Sequence, residues 1–126
     1  MTTLIPFMML YNMEELTFGD IVILKFPYTD GITFKRRPAL VIRDFQDGDI
    51  LVCRITSKIY TTTFDIELID WAESGLKLPS VVRVHKIATL EKSLLELRLG
   101  HVSDGVKSSI TKIFSALPNT TIQAIL

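Results

Sequence analysis

This chain of 126 residues contains one cysteine and two histidines. A single cysteine forms no intramolecular disulfide, which fits a reducing, cytoplasmic location. It also cannot supply the paired thiolates of a cysteine-type zinc site. Because Cys53 lies inside an apolar, strand-like run, we expect it to be a small buried core residue.

The formal net charge is zero, because 14 Lys and Arg residues balance 14 Asp and Glu residues. Many nucleic-acid binders are basic overall, so this balance argues mildly against a nucleic-acid partner. If the chain binds one, the site must be a local patch of positive charge. Apolar residues make up 48% of the chain, which is enough to build one folded core.

The apolar run at residues 4–11 is too short to span a membrane and is interrupted by Pro6. No basic stretch precedes it and no small-residue cleavage site follows, so we expect neither a signal peptide nor membrane association. Two interpretations remain: a segment that packs on the domain or at an interface, which we favour, or a leader before a start at Met13. We therefore predict an N-terminal apolar extension, residues 1–16, and one domain, residues 17–126.

Common catalytic signatures are missing from the chain. There is no glycine-rich phosphate loop, no nucleophile elbow and no acidic pair close to either histidine. Asp44, Asp47 and Asp49 do not have the spacing of a calcium loop and are better explained by a solvated hairpin turn. We therefore expect no metal and no cofactor.

The sequence instead indicates short strands and one clear helix. Apolar and β-branched residues, bounded by glycine, proline or aspartate, predict strands at residues 19–27, 37–45, 50–57, 64–70 and 80–86. Leucines at residues 90–99 suggest a short helix before a small strand at 100–102. Ser103 or Asp104 should cap the final helix, which Pro118 should end. This pattern favours a mainly β domain with a C-terminal helix, as a small antiparallel barrel or sandwich.

Three places carry side chains suited to phosphate chemistry. Arg83 and His85 are two apart on a predicted strand, so they project from one face as a proton-transfer and charge-stabilising pair. Arg37 follows Lys35 and Arg36 beside a loop, as a phosphate backbone would require. Thr56 and Ser57 end a strand, where hydroxyl groups can hold a phosphate oxygen. Each place also has a simpler interpretation. Arg83 and His85 could cover a solvated sheet face, the three cations could be a solvated charge run, and Thr56 and Ser57 could be a turn signal.

Five strings occur together in a specific order. They are GDIVIL at residues 19–24, RRPALVI at 36–42, ITS at 55–57, VVRVHKIATLEKS at 81–93 and LGHVS at 99–103. In this combination the chain resembles the MazF/PemK family of type II toxin–antitoxin endoribonucleases, over about residues 17–117. Any one of the strings alone would be a weak signal.

The resemblance implies an SH3-like barrel of the MazF/Kid/CcdB type that forms a homodimer, and a cytoplasmic, metal-independent endoribonuclease. It implies attack by the 2′-hydroxyl of single-stranded mRNA, and a cognate antitoxin as the protein partner. The family's site residues correspond to Arg37, Thr56 and Arg83, and His85 stands where some members carry an acid. The candidate catalytic residues are therefore Arg37, Thr56, Arg83 and His85, and the candidate RNA-binding residues are Lys35, Arg36, Ser57 and Lys58.

Two alternatives follow from the same fold. Some barrel toxins act by binding DNA gyrase, and such a toxin would not need the four candidate catalytic residues. A degenerate family member would fold and dimerise without cleaving. Gly31 and Ile32 stand where some members carry His or Glu, which keeps this second alternative open. Convergence of the four residues on one site favours the nuclease, and their dispersal would favour a binding protein.

Overall fold

The computed structural model describes residues 15–27 and 30–125, which form six strands, one helix and one 3₁₀ turn at Lys92–Leu94. The strands and the helix are β1 Asp20–Pro27, β2 Phe34–Asp44, β3 Asp49–Thr56, β4 Asp65–Leu68, β5 Ser80–Glu91, β6 Leu95–His101 and α1 Asp104–Ile125. Residues 1–14, most of the predicted extension, lie outside the described residues. The division of the chain at residue 16 therefore stays a prediction.

All six strands form one antiparallel sheet in the order β4-β5-β3-β2-β1-β6. The mainly β class with a C-terminal helix is confirmed. The sheet is not closed, since no ladder joins its edge strands β4 and β6 within the described residues. β1 and β3 lie within one residue of their predicted bounds, whereas β2 begins at Phe34, β4 is shorter than predicted and β5 extends to Glu91.

Apolar residues fill two core clusters on opposite faces of this sheet. The helix-side cluster contains Ile21, Leu40, Cys53, Ile55, Leu68, Leu76, Val82, Val84, Val102 and Ile110. The groove-side cluster contains Leu16, Val22, Leu24, Ala39, Val41, Ile50 and Val52. Successive strand residues alternate between the clusters, as the pleat requires. Cys53 is confirmed as a core residue, and burial raises the pKa of its thiol to about 12.

The leucine-rich segment at residues 90–99 is not a helix, so that prediction is wrong. Its residues end β5, form the 3₁₀ turn and begin β6. From Leu95 to Leu99 leucines alternate with Glu96 and Arg98, and this period of two is typical of a strand. β6 pairs with β1, where Ile23 lies opposite Leu97. The segment forms a strand and not a helix because β1 offers it a strand to pair with.

Helix α1 begins as predicted but does not end at Pro118. The hydroxyl of Ser103 accepts a hydrogen bond from the backbone N–H of Val106 at 3.3 Å, which caps the first turn. The helix then continues through Pro118 to Ile125. A proline removes one hydrogen bond of the ladder, and its ring strains the backbone of the preceding turn. Because Pro118 lies on an exposed face, water can satisfy the carbonyl that loses its partner.

The turn after β4 meets β6 backbone to backbone. A side-chain carbon added at Gly100 would lie 2.3 Å from the carbonyl oxygen of Ser74. One added at Gly75 would lie 2.6 Å from the carbonyl oxygen of Leu99, and Gly75 also has a φ of 94°. Both positions therefore require glycine.

Candidate functional site

A groove of about 360 Å³ lies on the face of the sheet opposite the helix. It is lined by Phe26, Arg37, Pro38, Ala39, Val52, Arg54, Lys86, Ile87 and Ala88. Ala39 and Val52 belong to the groove-side core cluster, so the floor is apolar. Three cations, Arg37, Arg54 and Lys86, stand around this floor.

The strand register explains why these residues meet. Ala39 on β2 lies opposite Arg54 on β3, and Arg54 lies opposite Arg83 on β5. The next pair along is Cys53 with Ile87, so the register of β5 against β3 skips residues 84–86. Such a bulge bends a strand and redirects its side chains. It contains both His85 and the groove cation Lys86.

The charges of the groove are uncompensated. Within the described residues, Arg37, Arg54 and Lys86 form no ion pair with an acidic side chain. A local surplus of positive charge therefore exists on a chain whose net charge is zero. A concave, cation-lined surface with an apolar floor suits an anionic ligand that also has apolar faces.

Only one of the three consecutive cations at residues 35–37 lines the groove. Arg37 lies opposite Leu24 of the groove-side cluster. Arg36 alternates to the other face and pairs with the carboxylate of Glu96, which also lies 3.8 Å from the ammonium group of Lys25. Lys35 is exposed and lies opposite Phe26, a lining residue of the groove.

Arg83 is a buried, paired arginine. It is only 8% exposed, and its Nε donates a hydrogen bond to Oδ1 of Asp65 at 2.8 Å. Its guanidinium carbon lies 3.6 Å from the centre of the Tyr60 ring, a cation–π contact. Burial raises the pKa of Asp65, but hydrogen bonds from Arg83 and Thr62 outweigh it and hold that pKa below its usual value. The positive charge of Arg83 is thus largely neutralised within the protein.

His85 is half-buried next to this ion pair. Its ring centre lies 5.0 Å from that of Phe64, and its Nδ1 is buried with no hydrogen-bond partner in the described part of the chain. Burial lowers the pKa of His85 below 6.5, and the cations Arg83 and Lys86 lower it further, while Asp65 opposes them. The imidazole is therefore neutral at pH 7 and can accept a proton.

The end of β3 carries the hydroxyl candidates. Thr56 lies two residues from Arg54, so both side chains are on the groove face of the sheet. The hydroxyl oxygen of Thr56 accepts a hydrogen bond from the backbone N–H of Lys58 at 3.1 Å. Ser57 and Lys58 are exposed, and the ammonium group of Lys58 lies 5.2 Å from the centre of the Tyr60 ring.

Three of the four candidate catalytic residues, Arg37, Thr56 and Arg83, share one face of the sheet. Val82 points into the helix-side cluster, so Arg83 alternates to the groove face with Arg37 and Thr56, while His85 lies in the bulge next to Lys86. Only Arg37 lines the groove itself. The joint role of the four residues in one reaction stays a prediction.

Sequence reasoning missed three residues of this region. Arg54 precedes Thr56 by two positions on a predicted strand, and that spacing alone would have assigned it to the same face. Lys86 lines the groove only because β5 has a bulge at this point. No sequence pattern predicts this bulge. Asp65 is fixed as the partner of Arg83 by the pairing of β4 with β5, a contact over 18 positions.

One carboxylate holds the turn at residues 30–33, just before β2. Asp30 accepts hydrogen bonds from the backbone N–H groups of Ile32 and Thr33, and these bonds lower its pKa. Ile32 is left 80% exposed. Within residues 15–27 and 30–125, no group of three His, Cys, Asp or Glu side chains is arranged to hold a metal ion. No helix in this part of the chain combines the length and the apolar character needed to cross a membrane.

The sheet order, the C-terminal helix and the groove define a small mainly β domain with a cation-lined face. Residues 17–117 match the profile of the PemK-like, MazF-like toxins of type II toxin–antitoxin systems. The chain belongs to this family, as its sequence strings predict. Among curated proteins, none matches the chain significantly.

Three solved structures of similar fold are those of two MazF proteins and a mycobacterial endoribonuclease. A MazE–MazF complex from Deinococcus radiodurans is 24% identical, with a TM-score of 0.70 over 82% of this chain and 96% of that one. The Mycobacterium tuberculosis toxin MazF-mt6 is 21% identical, with a TM-score of 0.63 over 75% and 91%. A mycobacterial endoribonuclease bound to its cognate antitoxin is 18% identical, with a TM-score of 0.66 over 80% and 92%. At these identities the similarity establishes the fold.

Proposed function

We propose that this chain is the toxin of a toxin–antitoxin module and arrests growth as a sequence-specific endoribonuclease of single-stranded mRNA. The observation that carries this proposal is the groove with three uncompensated cations beside a histidine kept neutral by burial. Phosphates supply the negative charge that the cations require, and bases supply apolar faces for the floor.

In the proposed reaction, neutral His85 accepts the proton of the 2′-hydroxyl. The 2′-oxygen then attacks the adjacent phosphorus, and the bond from phosphorus to the 5′-oxygen breaks. The leaving oxygen takes a proton from water, so the products carry a 2′,3′-cyclic phosphate and a 5′-hydroxyl. Arg37 stabilises the additional negative charge on the phosphoryl oxygens, and Thr56 orients one of them. Arg83 contributes to this site while it remains hydrogen-bonded to Asp65.

Metal independence follows from the same chemistry. The nucleophile is part of the substrate and lies next to its phosphate, where proximity contributes several orders of magnitude in effective concentration. The cations of the groove supply the charge that a metal supplies elsewhere. DNA lacks the 2′-hydroxyl, so the same site can bind DNA without cutting it.

Purified protein should cut a long RNA in the presence of EDTA at a limited set of sequences. End mapping should detect 5′-hydroxyl groups and 2′,3′-cyclic phosphates, and single-stranded DNA of the same sequence should stay intact. Loss of cleavage with EDTA would contradict the proposed mechanism. Growth arrest by a protein that binds gyrase and leaves RNA intact would instead support the binding-protein alternative.

We further propose a homodimer in the cytoplasm, held inactive by a cognate antitoxin. The homodimer that the sequence resemblance implies needs an apolar contact surface, and Ile69, which is 87% exposed, and Ile32, which is 80% exposed, are the candidates for it. Sedimentation velocity at micromolar concentration should therefore give the mass of a dimer. Ile69→Asp and Ile32→Asp would locate the interface, because only the variant within it should dissociate. A monomer throughout the micromolar range would contradict the proposal.

A further inference from the structure

Two arginines face each other directly in the sheet. Arg54 on β3 lies opposite Arg83 on β5, and Asp65 lies opposite Arg83 on the other side. Like charges at directly opposed positions destabilise an antiparallel pair. Asp65 compensates this repulsion for Arg83 alone, because its carboxylate binds the Arg83 guanidinium at 2.8 Å.

Arg54 is therefore left with a charge that no described residue neutralises. It is exposed, it lines the groove, and within the described residues it forms no ion pair. Lys86, brought there by the bulge in β5, is the second cation on this side of the groove. Arg37 stands two strands away from Lys86, on β2.

We propose that Arg54, together with Lys86, binds a second phosphate of the RNA, adjacent to the phosphate that Arg37 contacts. This inference rests on the proposed function and adds to it a subsite for one nucleotide. The base of that nucleotide packs on the floor formed by Ala39, Val52 and Ala88, between the two phosphate contacts. The groove of about 360 Å³ has the size of a site for a small ligand. Arg54 and Lys86 then contribute to substrate binding, while the chemical step occurs at Arg37 and His85.

The test measures binding without cleavage. A fluorescein-labelled pool of short 2′-O-methyl RNA oligonucleotides of random sequence is titrated with Arg54→Gln over a range of KCl concentrations. We expect affinity at low salt to fall about tenfold. The slope of log Kd against log salt should fall by about 0.7, the value for one phosphate contact on a single strand. Lys86→Gln should behave in the same way, and Arg54→Lys should keep the slope.

Arg43→Gln is the matched control. Arg43 lies on β2, is exposed and is about 20 Å from Arg37 by the rise of a strand, so its loss should leave the slope unchanged. With cleavable RNA, Arg54→Gln should raise KM and leave kcat nearly unchanged.

A slope for Arg54→Gln equal to that of the wild type overturns the inference, as does a wild-type protein that fails to bind the pool. A fall in kcat at unchanged KM also overturns it, because Arg54 would then act on the reacting phosphate. If the wild type binds the pool with an Arg54-dependent slope but cuts no RNA, the nuclease proposal fails and the phosphate subsite stands.

Discussion

His85→Ala should slow RNA cleavage by about a hundredfold or more, the usual contribution of a positioned proton-transfer group. Its neutral imidazole is the proposed base for the 2′-hydroxyl, and the burial that lowers its pKa keeps it in the required form at pH 7. The melting temperature should barely change, because the substitution removes a buried Nδ1 that has no partner in the described residues. Single-turnover cleavage and thermal denaturation of the same preparation check both parts.

A substrate with one 2′-deoxy sugar at the cut site is the control for this mechanism. Cleavage at that position would refute attack by the 2′-hydroxyl. The pH profile is a second check: the rate should rise with pH through a pKa below 6.5 and then level off, as a base loses its proton. Lys86→Gln removes a cation that lowers this pKa and should shift the rising limb to higher pH.

Asp65→Ala should destabilise the protein by about 3 kcal/mol, as expected when one partner of a buried ion pair is removed. The carboxylate is nearly inaccessible and holds both the Arg83 guanidinium and the hydroxyl of Thr62, at 2.8 Å and 2.6 Å. Without it, Arg83 keeps a buried charge with no counterion and with Arg54 opposite. Urea denaturation followed by circular dichroism measures the loss.

Glu67→Ala is the matched control for this prediction. Glu67 lies two residues along the same strand and is exposed, so its removal should change the free energy of unfolding by less than about 0.5 kcal/mol. Equal stabilities of the two variants would mean that Asp65 does not hold Arg83. The interpretation of Arg83 as a free phosphate ligand would then be preferred.

The sequence predicts the strands well where alternation and boundary residues agree. β1 and β3 start and end within one residue of their predicted limits, because glycine, proline and aspartate bound a clearly apolar run. The segment at residues 90–99 fails for a different reason. Its leucines fit a helix or a strand, and only the pairing of β6 with β1 selects the strand.

The site is less predictable from the sequence than the fold. Arg37 could be selected from a charged strand start and His85 from its spacing to Arg83, while their catalytic roles stay predictions. The environment of Arg83 does not follow, because Asp65 becomes its neighbour only when β4 pairs with β5. Lys86 depends on the irregular register between Cys53 and Arg54. Ion-pair partners and bulges are properties of the folded sheet, and a local pattern of residues does not contain them.

The glycine contact between the turn after β4 and strand β6 bears on the solubility of the protein. An unpaired edge strand offers free N–H and C=O groups to any other chain and is a common start of aggregation. β6 is such an edge, and the turn covers it at Leu99 and Gly100 at a distance that leaves no room for a side chain. This edge is therefore covered only because Gly75 and Gly100 have no side chains, so that the turn can approach the strand closely.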